Sequence, residues 1–345
     1  MKNISIILIA LFTFSTADMF AGNEDRVGSA GGTQLLINPW ARSTGLAGAN
    51  IANVEGIMGS FLNPAGIAFT RKSEIMFTNT TWLSGADISI NAIGLSQRLG
   101  ESSVIGISVV SIDWGELARS TTALPEGDGT TFSPNFSNLA LSFAKEFSNS
   151  IYGGMSLKIV SEGIADINAS GFALDAGIKY VSGERDQVKF GIALKNVGPG
   201  MKYSGTGLTE GVTTGNGSSL NVEQRSASFE LPSLVNIGVG YDFVLAEDHD
   251  LTGMVSFTSN SFSKDQYKVG LEYSFKEYFN LRGGYSLEPE SKLIDEDTNA
   301  LSGPAFGASL ALPIGDEGGS LGFDYSYQVT NPFDGVHSIG LRLDL

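Results

Sequence analysis

The carboxyl-terminal stretch SIGLRLDL, residues 338–345, decides the fold of this 345-residue chain. Its apolar side chains recur at every second position, at Ile339, Leu341, Leu343 and Leu345. Small, polar or charged residues stand between them, which is the period of a β-strand with one apolar face. The free edge and the leucines of such a strand need a partner strand and an apolar environment. The closing strand of a transmembrane β-barrel has both, because it pairs with the first strand and faces lipid.

The same stretch resembles the carboxyl-terminal insertion signal of bacterial outer-membrane proteins. Ser338, Gly340, Leu343 and Leu345 occupy the polar, small and apolar positions of that signal, with Leu345 where an aromatic residue is commoner. The resemblance implies that barrel-assembly machinery recognises the chain. It also implies a location in the outer-membrane lipid of a Gram-negative-type bacterium.

The composition is that of a β-barrel rather than of a helical membrane protein or a disordered chain. The hydrophobic fraction is 42%, glycine occurs 44 times and the net charge is −16. Mean hydropathy is +0.07, as expected when apolar and polar faces average out along each strand. No interior run approaches the roughly 20 apolar residues of a spanning helix. The acidic balance excludes a nucleic-acid partner, and a large secreted β-domain is the alternative fold.

The first 21 residues are predicted to be a signal peptide. Lys2 supplies the positive charge, residues 4–14 are the apolar core, and residues 15–21 are smaller and more polar. The apolar core is too short for a transmembrane anchor. We therefore expect three regions: a signal peptide over 1–21, an N-terminal plug over 22–72, and the barrel over 73–345.

The barrel region predicts fourteen strands, an even number as in bacterial single-chain barrels. The predicted strands are 74–83, 88–99, 103–112, 136–147, 151–160, 171–181, 188–196, 234–243, 250–258, 265–275, 279–286, 304–313, 320–328 and 337–345. The long connections, 113–135, 197–233 and 287–303, all follow odd strands, whereas connections after even strands are short. This parity predicts an up-and-down antiparallel barrel with long outer loops and short periplasmic turns.

Two sets of alternating positions predict the two faces of the wall. The lipid-facing set includes Leu141, Phe143, Leu174, Ile178, Ile237, Val239, Val269 and Leu271. The lumen-facing set is charged or very small and includes Ser142, Asp175, Lys179, Lys189, Lys195, Lys268, Glu272, Arg282 and Asp324. Aromatic residues at strand ends predict interfacial girdles, with Phe147 and Phe243 on the periplasmic side and Trp82 and Phe306 on the outer side. The first three strands give no clean alternation, so their inward residues stay unassigned.

Residues 22–72 are too apolar for a tail and too irregular for strands. Glycine and alanine are frequent, and Asn63-Pro64-Ala65-Gly66 predicts a turn. A compact plug inside the barrel would bury the apolar residues of this segment, and the Asn-Pro turn is expected near the barrel mouth. A periplasmic N-terminal domain docked on a partner is the alternative.

The stretch LINPWARSTGLAGANIANVEGIMGSFLNPAGIAF, residues 36–69, resembles the N-terminal region of the PorV/PorQ family of outer-membrane proteins. It is similar, more distantly, to the FadL long-chain fatty-acid transporters, which share the small-residue stretch followed by Asn-Pro-Ala. The likeness covers roughly residues 34–70. It implies a non-enzymatic barrel that serves type IX secretion as a cargo shuttle or accessory component, with protein partners. The alternative that it implies is a FadL-like passive transporter with a hydrophobic ligand, whose pocket would use Phe61, Leu62, Ile67 and Phe69.

No pattern in the sequence indicates catalysis or a cofactor. His249 and His337 are the two histidines, and each is expected to be a solvated turn or strand-end residue, with a metal or catalytic role as the alternative. The glycines of Gly205-Thr206-Gly207 and Gly215-Asn216-Gly217 lie in a predicted outer loop and do not form a phosphate cradle. The Gly/Thr/Ser-rich loop Thr206–Ser219 is expected to be mobile. Acidic outer-loop residues leave calcium binding open, although no EF-hand spacing is present; they are Glu126, Asp128, Glu288, Glu290, Asp295, Glu296 and Asp297.

Overall fold

A computed structural model describes residues 26–120, 123–276, 278–288, 299–315, 318–331 and 333–345. The predicted signal peptide, residues 22–25 and the acidic residues from Glu290 to Asp297 lie outside these ranges. Fourteen antiparallel strands form a closed barrel. They are β1 (Ser73–Trp82), β2 (Ile88–Leu99), β3 (Ser103–Asp113), β4 (Asn135–Ser148), β5 (Ile151–Ile164), β6 (Ile167–Ser182), β7 (Val188–Val197), β8 (Leu234–Ala246), β9 (His249–Asn260), β10 (Gln266–Phe275), β11 (Phe279–Leu287), β12 (Gly303–Ile314), β13 (Gly319–Gln328) and β14 (Val336–Asp344).

The carboxyl-terminal strand closes the barrel as its sequence predicts. Strand β14 pairs with β13 on one side and with β1 on the other, from Glu74 opposite Asp344 to Thr81 opposite His337. Reciprocal backbone hydrogen bonds between Ser73 and Leu345 extend the seam to the last residue. The all-β class, the strand number and the up-and-down order are therefore confirmed.

Several strands are longer than predicted, β5 and β6 most of all. Strand β5 continues to Ile164 and β6 begins at Ile167. The connection between them is therefore residues 165 and 166, and not the ten residues expected. Four of the eight residues added on the two sides of this turn are polar, namely Ser161, Glu162, Asn168 and Ser170. The strands therefore extend beyond the roughly ten residues needed to span a membrane. The long connections still follow β3, β7 and β11. No helix among the described residues is long and apolar enough to cross a membrane.

The alternation of exposed and buried side chains confirms the two predicted faces. Outward residues such as Phe143, Ile178 and Leu271 are exposed, whereas Asp175 and Lys179 are buried. The structure also resolves the first strands, because Met76, Thr78 and Thr80 face inward. The expectation for Trp82 is wrong. Trp82 has the same parity as these three and packs in an interior cluster with Ile90 and Phe136, so it does not join the lipid girdle.

The N-terminal segment runs through the barrel from the end with the long loops to the end with the short turns, which the predicted orientation makes the outer and periplasmic ends. It contains only short helices: Thr33–Leu36, Ala41–Thr44, Gly56–Met58, Gly59–Leu62 and Pro64–Phe69. Arg26 forms an ion pair with Glu230, which follows the long outer loop after β7. At the other end, Thr70 leads directly to the periplasmic start of β1. Residues 33–70 are called the hatch below.

The outer loops carry three small two-stranded sheets. Leu117–Ala118 pairs with Thr131–Phe132, Met201–Lys202 with Ser228–Phe229, and Thr209–Thr213 with Ser219–Glu223. The last pair forms a hairpin across the loop Thr206–Ser219, in which the sequence predicts no strands. Val212 and Leu220 stand opposite each other, and such apolar cross-strand pairs favour a hairpin even in a Gly-rich sequence.

Candidate functional site

The candidate site is the lumen of the barrel, which the hatch fills by close contact between backbones. A Cβ atom added at Gly284 would overlap the backbone of Leu46, and one added at Gly154 would overlap that of Pro64. Any side chain at these two wall positions would displace the hatch. Wall glycines therefore let the hatch lie directly on the strands, which explains why the inward rows contain so many very small residues.

The Asn63-Pro64-Ala65-Gly66 turn ties the hatch to the wall. Asn63 is fully buried, and its Oδ1 accepts a hydrogen bond from the Ala65 backbone N–H at 3.1 Å, which caps the following 3₁₀ helix. Its Nδ2 donates to the Ile178 carbonyl of β6 at 3.1 Å. A Cβ on Gly66 would meet the Val54 carbonyl oxygen at 2.5 Å. The turn thus lies in the lumen toward the periplasmic ends of β5 and β6.

Arg42 anchors the outer half of the hatch to a buried ionic cluster on the wall. Its Nη2 donates to Glu272 Oε1 at 2.9 Å, while Arg282 Nε donates to Glu272 Oε2 at 2.8 Å. Asp324 lies 3.9 Å from Arg282 Nη1 and completes the charge balance. The Glu272 carboxylate raises the pKa of the Arg42 guanidinium above its usual value despite burial, so this contact is an ion pair at every physiological pH.

Glu55 anchors the hatch through a second cluster, toward the periplasmic side. Lys179 Nζ lies 3.8 Å from the Glu55 carboxylate and donates to the Val54 carbonyl at 3.0 Å. Lys189 lies between Glu55 at 4.0 Å and Asp242 at 2.8 Å. The Glu55 side chain is about half exposed. Partial desolvation works against its ionisation, but the two lysines outweigh it and lower the pKa of that carboxyl group. Glu55 is therefore charged at neutral pH.

A third cluster joins the wall strands β5, β6 and β7. Lys158 Nζ lies 2.5 Å from Asp175 Oδ2 and donates to Asn196 Oδ1 at 2.8 Å. Asn196 has a positive φ of 56° and its backbone N–H donates to the other Asp175 oxygen at 2.8 Å. The register between β6 and β7 shifts at this point, between Leu174 and Ala176. The cluster thus pairs the polar groups at an irregularity of the wall.

A cavity of about 110 Å³ remains in the outer half of the lumen. Hatch residues Ile51, Phe61 and Leu62 line it on one side. Lys195 of β7 and Lys268 of β10 line it from the wall. Ile67 and Phe69 lie elsewhere, because Ile67 packs with Val104 and Ala144, and Phe69 stacks on Tyr152 near the periplasmic end. Of the four hatch residues expected in a FadL-like pocket, the structure brings only Phe61 and Leu62 together at the cavity.

The hairpin Thr209–Thr213 with Ser219–Glu223 gives the outer surface an exposed apolar face. All ten of its residues are exposed. Val212, Leu220 and Val222 share one face, and they are 43%, 53% and 46% exposed. Among the described residues the two strands pair only with each other, so no other described strand covers their outer edges. Free edges and exposed apolar side chains are features of protein-binding surfaces.

The other candidate residues occupy local roles. His249 and His337 each contact a tyrosine hydroxyl on the neighbouring strand, at 2.6 and 2.9 Å. Asp128 accepts from the backbone and hydroxyl of Thr130 in its own loop. Within the described ranges, no group of three or more His, Asp or Glu residues converges on one point. Calcium binding by the acidic loops stays an untested alternative.

The residues that sequence reasoning missed are the two hatch anchors. Arg42 and Glu55 are the only charged residues between positions 27 and 70. A single basic and a single acidic residue in an otherwise uncharged apolar segment is a signal for ion pairs with the surrounding wall. Their partners come from strands 124 to 230 positions away, as for Lys179 and Glu272. That pairing depends on the path of the hatch through the barrel, which the sequence does not specify.

Comparison with known proteins decides the family. A sequence model described as Type IX secretion system protein PorV matches residues 20–261, which is more than half of the chain. The chain belongs to the PorV family. Its fold is FadL-like, and the PorV family together with this barrel fold indicates an outer-membrane protein of type IX secretion. Curated protein sequences include no significant match.

Two solved structures illustrate how similar the fold is. A Pseudomonas aeruginosa FadL homologue is 12% identical with a TM-score of 0.54, covering 88% of this chain and 98% of that chain. The Pseudomonas putida toluene transporter TodX is 12% identical with a TM-score of 0.55, covering 89% and 97%. At this level of identity the likeness concerns the fold alone.

Proposed function

We propose that this PorV family barrel is a non-enzymatic partner of type IX secretion that shuttles or hands over cargo at the outer surface. Its outer loops bind the protein partner, and the hatch keeps the lumen closed. The wall holds the barrel in outer-membrane lipid after insertion by barrel-assembly machinery through Ser338, Gly340, Leu343 and Leu345. This proposal goes one step beyond family membership, because it assigns a role to particular surfaces.

The observation that carries the proposal is the exposed apolar hairpin above a filled lumen. A two-stranded hairpin alone is marginally stable in water, and this one exposes Val212, Leu220 and Val222 on one face. A protein that moved solutes through its lumen would have no use for this face. An extended strand of a partner can add to the free edge of either hairpin strand and cover the apolar face with its side chains.

The experiment replaces the apolar face and leaves the barrel unchanged. In a bacterium with type IX secretion, the double variant Val212→Ser/Leu220→Ser is expected to lower cargo release at least about tenfold, which corresponds to about 1.4 kcal/mol of lost binding. Thr213→Ser/Asn221→Ser changes the opposite face of the same hairpin and is the matched control. Equal outer-membrane levels must be shown by the heat-dependent gel shift of a folded barrel. Normal cargo release from the apolar-face variant would refute the assignment of the hairpin.

A second candidate function is passive transport of a hydrophobic solute. It is favoured by the FadL-like fold and by the apolar hatch residues Ile51, Phe61 and Leu62 at the lumen cavity. The toluene transporter among the similar structures gives the class of solute to test. Proteoliposomes loaded with the barrel should then take up toluene faster than liposomes without it. Uptake with unimpaired cargo release from the hairpin variant would favour this candidate over the first.

A further inference from the structure

The lumen cavity is lined by two lysines, Lys195 and Lys268, that form no ion pair within 4.0 Å among the described residues. Lys195 is 2% exposed, and its ammonium lies 3.8 Å from the centre of the Phe61 ring. Lys268 lines the same cavity, with its Nζ close to Gly48 of the hatch. Among the described carboxylates, none lies within 4.0 Å of either ammonium nitrogen. This differs from every other lysine or arginine cluster described above, in which acids and bases alternate.

The other basic residues near the cavity have acidic partners. Arg42 and Arg282 are balanced by Glu272 and Asp324, and Lys158 by Asp175. Glu288 is held by a 3.5 Å hydrogen bond from Gln266, a further cavity-lining residue. Two lysines without an ion-pair partner among the described residues therefore face one small space in a protein whose net charge is −16. A buried charge without a counter-ion is costly, and binding an anion offsets that cost.

The shape and lining of the cavity specify the kind of anion. Its volume of about 110 Å³ is smaller than the roughly 150 Å³ of a cavity that holds benzene. Apolar side chains of Ile51, Leu62 and Leu234 line part of the wall, and Asn236 and Thr258 line another part. The residues therefore match a molecule with one compact charged end and a short apolar body. A long acyl chain does not fit in this volume.

We propose that the cavity is a binding site for a short-chain monocarboxylate. The Lys195 and Lys268 ammonium groups take the carboxylate, and the hatch face formed by Ile51, Phe61 and Leu62 packs against the short alkyl body. The apolar side of the cavity belongs to the hatch, whereas the two lysines belong to the wall. The bound acid therefore contacts both the hatch and the wall. This inference does not depend on the proposed role in cargo handover.

A fluorine NMR titration of the full mature protein in detergent tests the site. The probe is trifluoroacetate, and its uncharged analogue is 2,2,2-trifluoroethanol; both are small enough for the cavity. We expect saturable broadening of the trifluoroacetate signal that weakens at least about tenfold in Lys195→Met and in Lys268→Met, because each variant removes one charge-assisted contact. Lys202→Met removes a lysine from an exposed outer-loop strand and is the control with unchanged binding.

The outcomes separate the charged site from a simple apolar cavity. Binding of the alcohol should be at least about tenfold weaker than that of the acid, since desolvated ion pairs contribute most of the affinity. Absence of saturable binding by the wild type would overturn the proposal. So would equal affinity in the double variant Lys195→Met/Lys268→Met. If Lys195→Met does not assemble by the gel-shift criterion, Lys268→Met and the acid–alcohol comparison still decide the question.

Discussion

Replacing Glu272 with glutamine should loosen the hatch without changing the shape of the wall. Glu272 accepts hydrogen bonds from Arg42 of the hatch at 2.9 Å and from Arg282 of the wall at 2.8 Å. The amide is isosteric but uncharged, so two guanidinium groups then share Asp324 as their nearest anion. Removing one partner of a buried ion pair costs about 3–5 kcal/mol. We expect the lower part of this range, about 3 kcal/mol, because Asp324 remains.

Urea unfolding of the barrel in lipid vesicles, followed by tryptophan fluorescence, measures this change. With a denaturant dependence of about 3 kcal/mol per molar urea, the midpoint should fall by about 1 M. Trp40 lies in the hatch beside Arg42 and reports on its release. Glu230→Gln is the control, because it breaks the exposed pair with Arg26 and should cost less than about 1 kcal/mol. Equal midpoints for the two variants would refute the role of the buried cluster as a hatch anchor.

Three further predictions address insertion, orientation and contact. Leu345→Asp should lower outer-membrane levels strongly, since it places a charge on the lipid-facing row beside the seam at a cost of about 1 kcal/mol or more, whereas Leu220→Asp in the outer hairpin should assemble normally. The chain has no cysteine, so Val27→Cys should react with an impermeant maleimide on whole cells, and Glu247→Cys in a periplasmic turn should react only after lysis. Gly284→Val should raise ion leakage through planar bilayers, because its side chain must displace the hatch backbone.

Each of these three has a result that contradicts it. Normal membrane levels of Leu345→Asp would count against the assigned insertion signal. Labelling of Val27→Cys only after lysis would place the N-terminal segment at the wrong end of the barrel. A Gly284→Val variant as tight as the wild type would mean that the hatch does not depend on contact with β11.

The wall of this barrel could be predicted from the sequence because it obeys one simple period. Strand β10 alternates Tyr267, Val269 and Leu271 with Lys268 and Gly270, and lipid on one side makes that alternation obligatory. The long outer connections after odd strands fixed the strand number independently. The position of Trp82 was predicted wrongly, because an aromatic residue near a strand end is compatible with either the lipid girdle or a packed interior.

The lumen could be predicted only in part. The apolar composition of residues 22–72 indicates burial, but the path of an irregular chain depends on long-range contacts that no local period records. Arg42 and Glu55 find their partners only once that path is known. The lack of an ion-pair partner at Lys195 and Lys268 could not be predicted either. The sequence indicates that both lysines face the lumen, but it does not show which lysines lie near a carboxylate.

Single-channel conductance of the purified wild-type barrel in planar bilayers tests the central claim that the hatch closes the lumen. The hatch contacts wall glycines on β5, β6, β7 and β11 and is held by two ionic clusters. We therefore expect the wild type to conduct little, and deletion of residues 34–66 to open a large and steady pore in a barrel that still shows the folded gel shift. A wide, constant conductance from the intact protein would contradict the account.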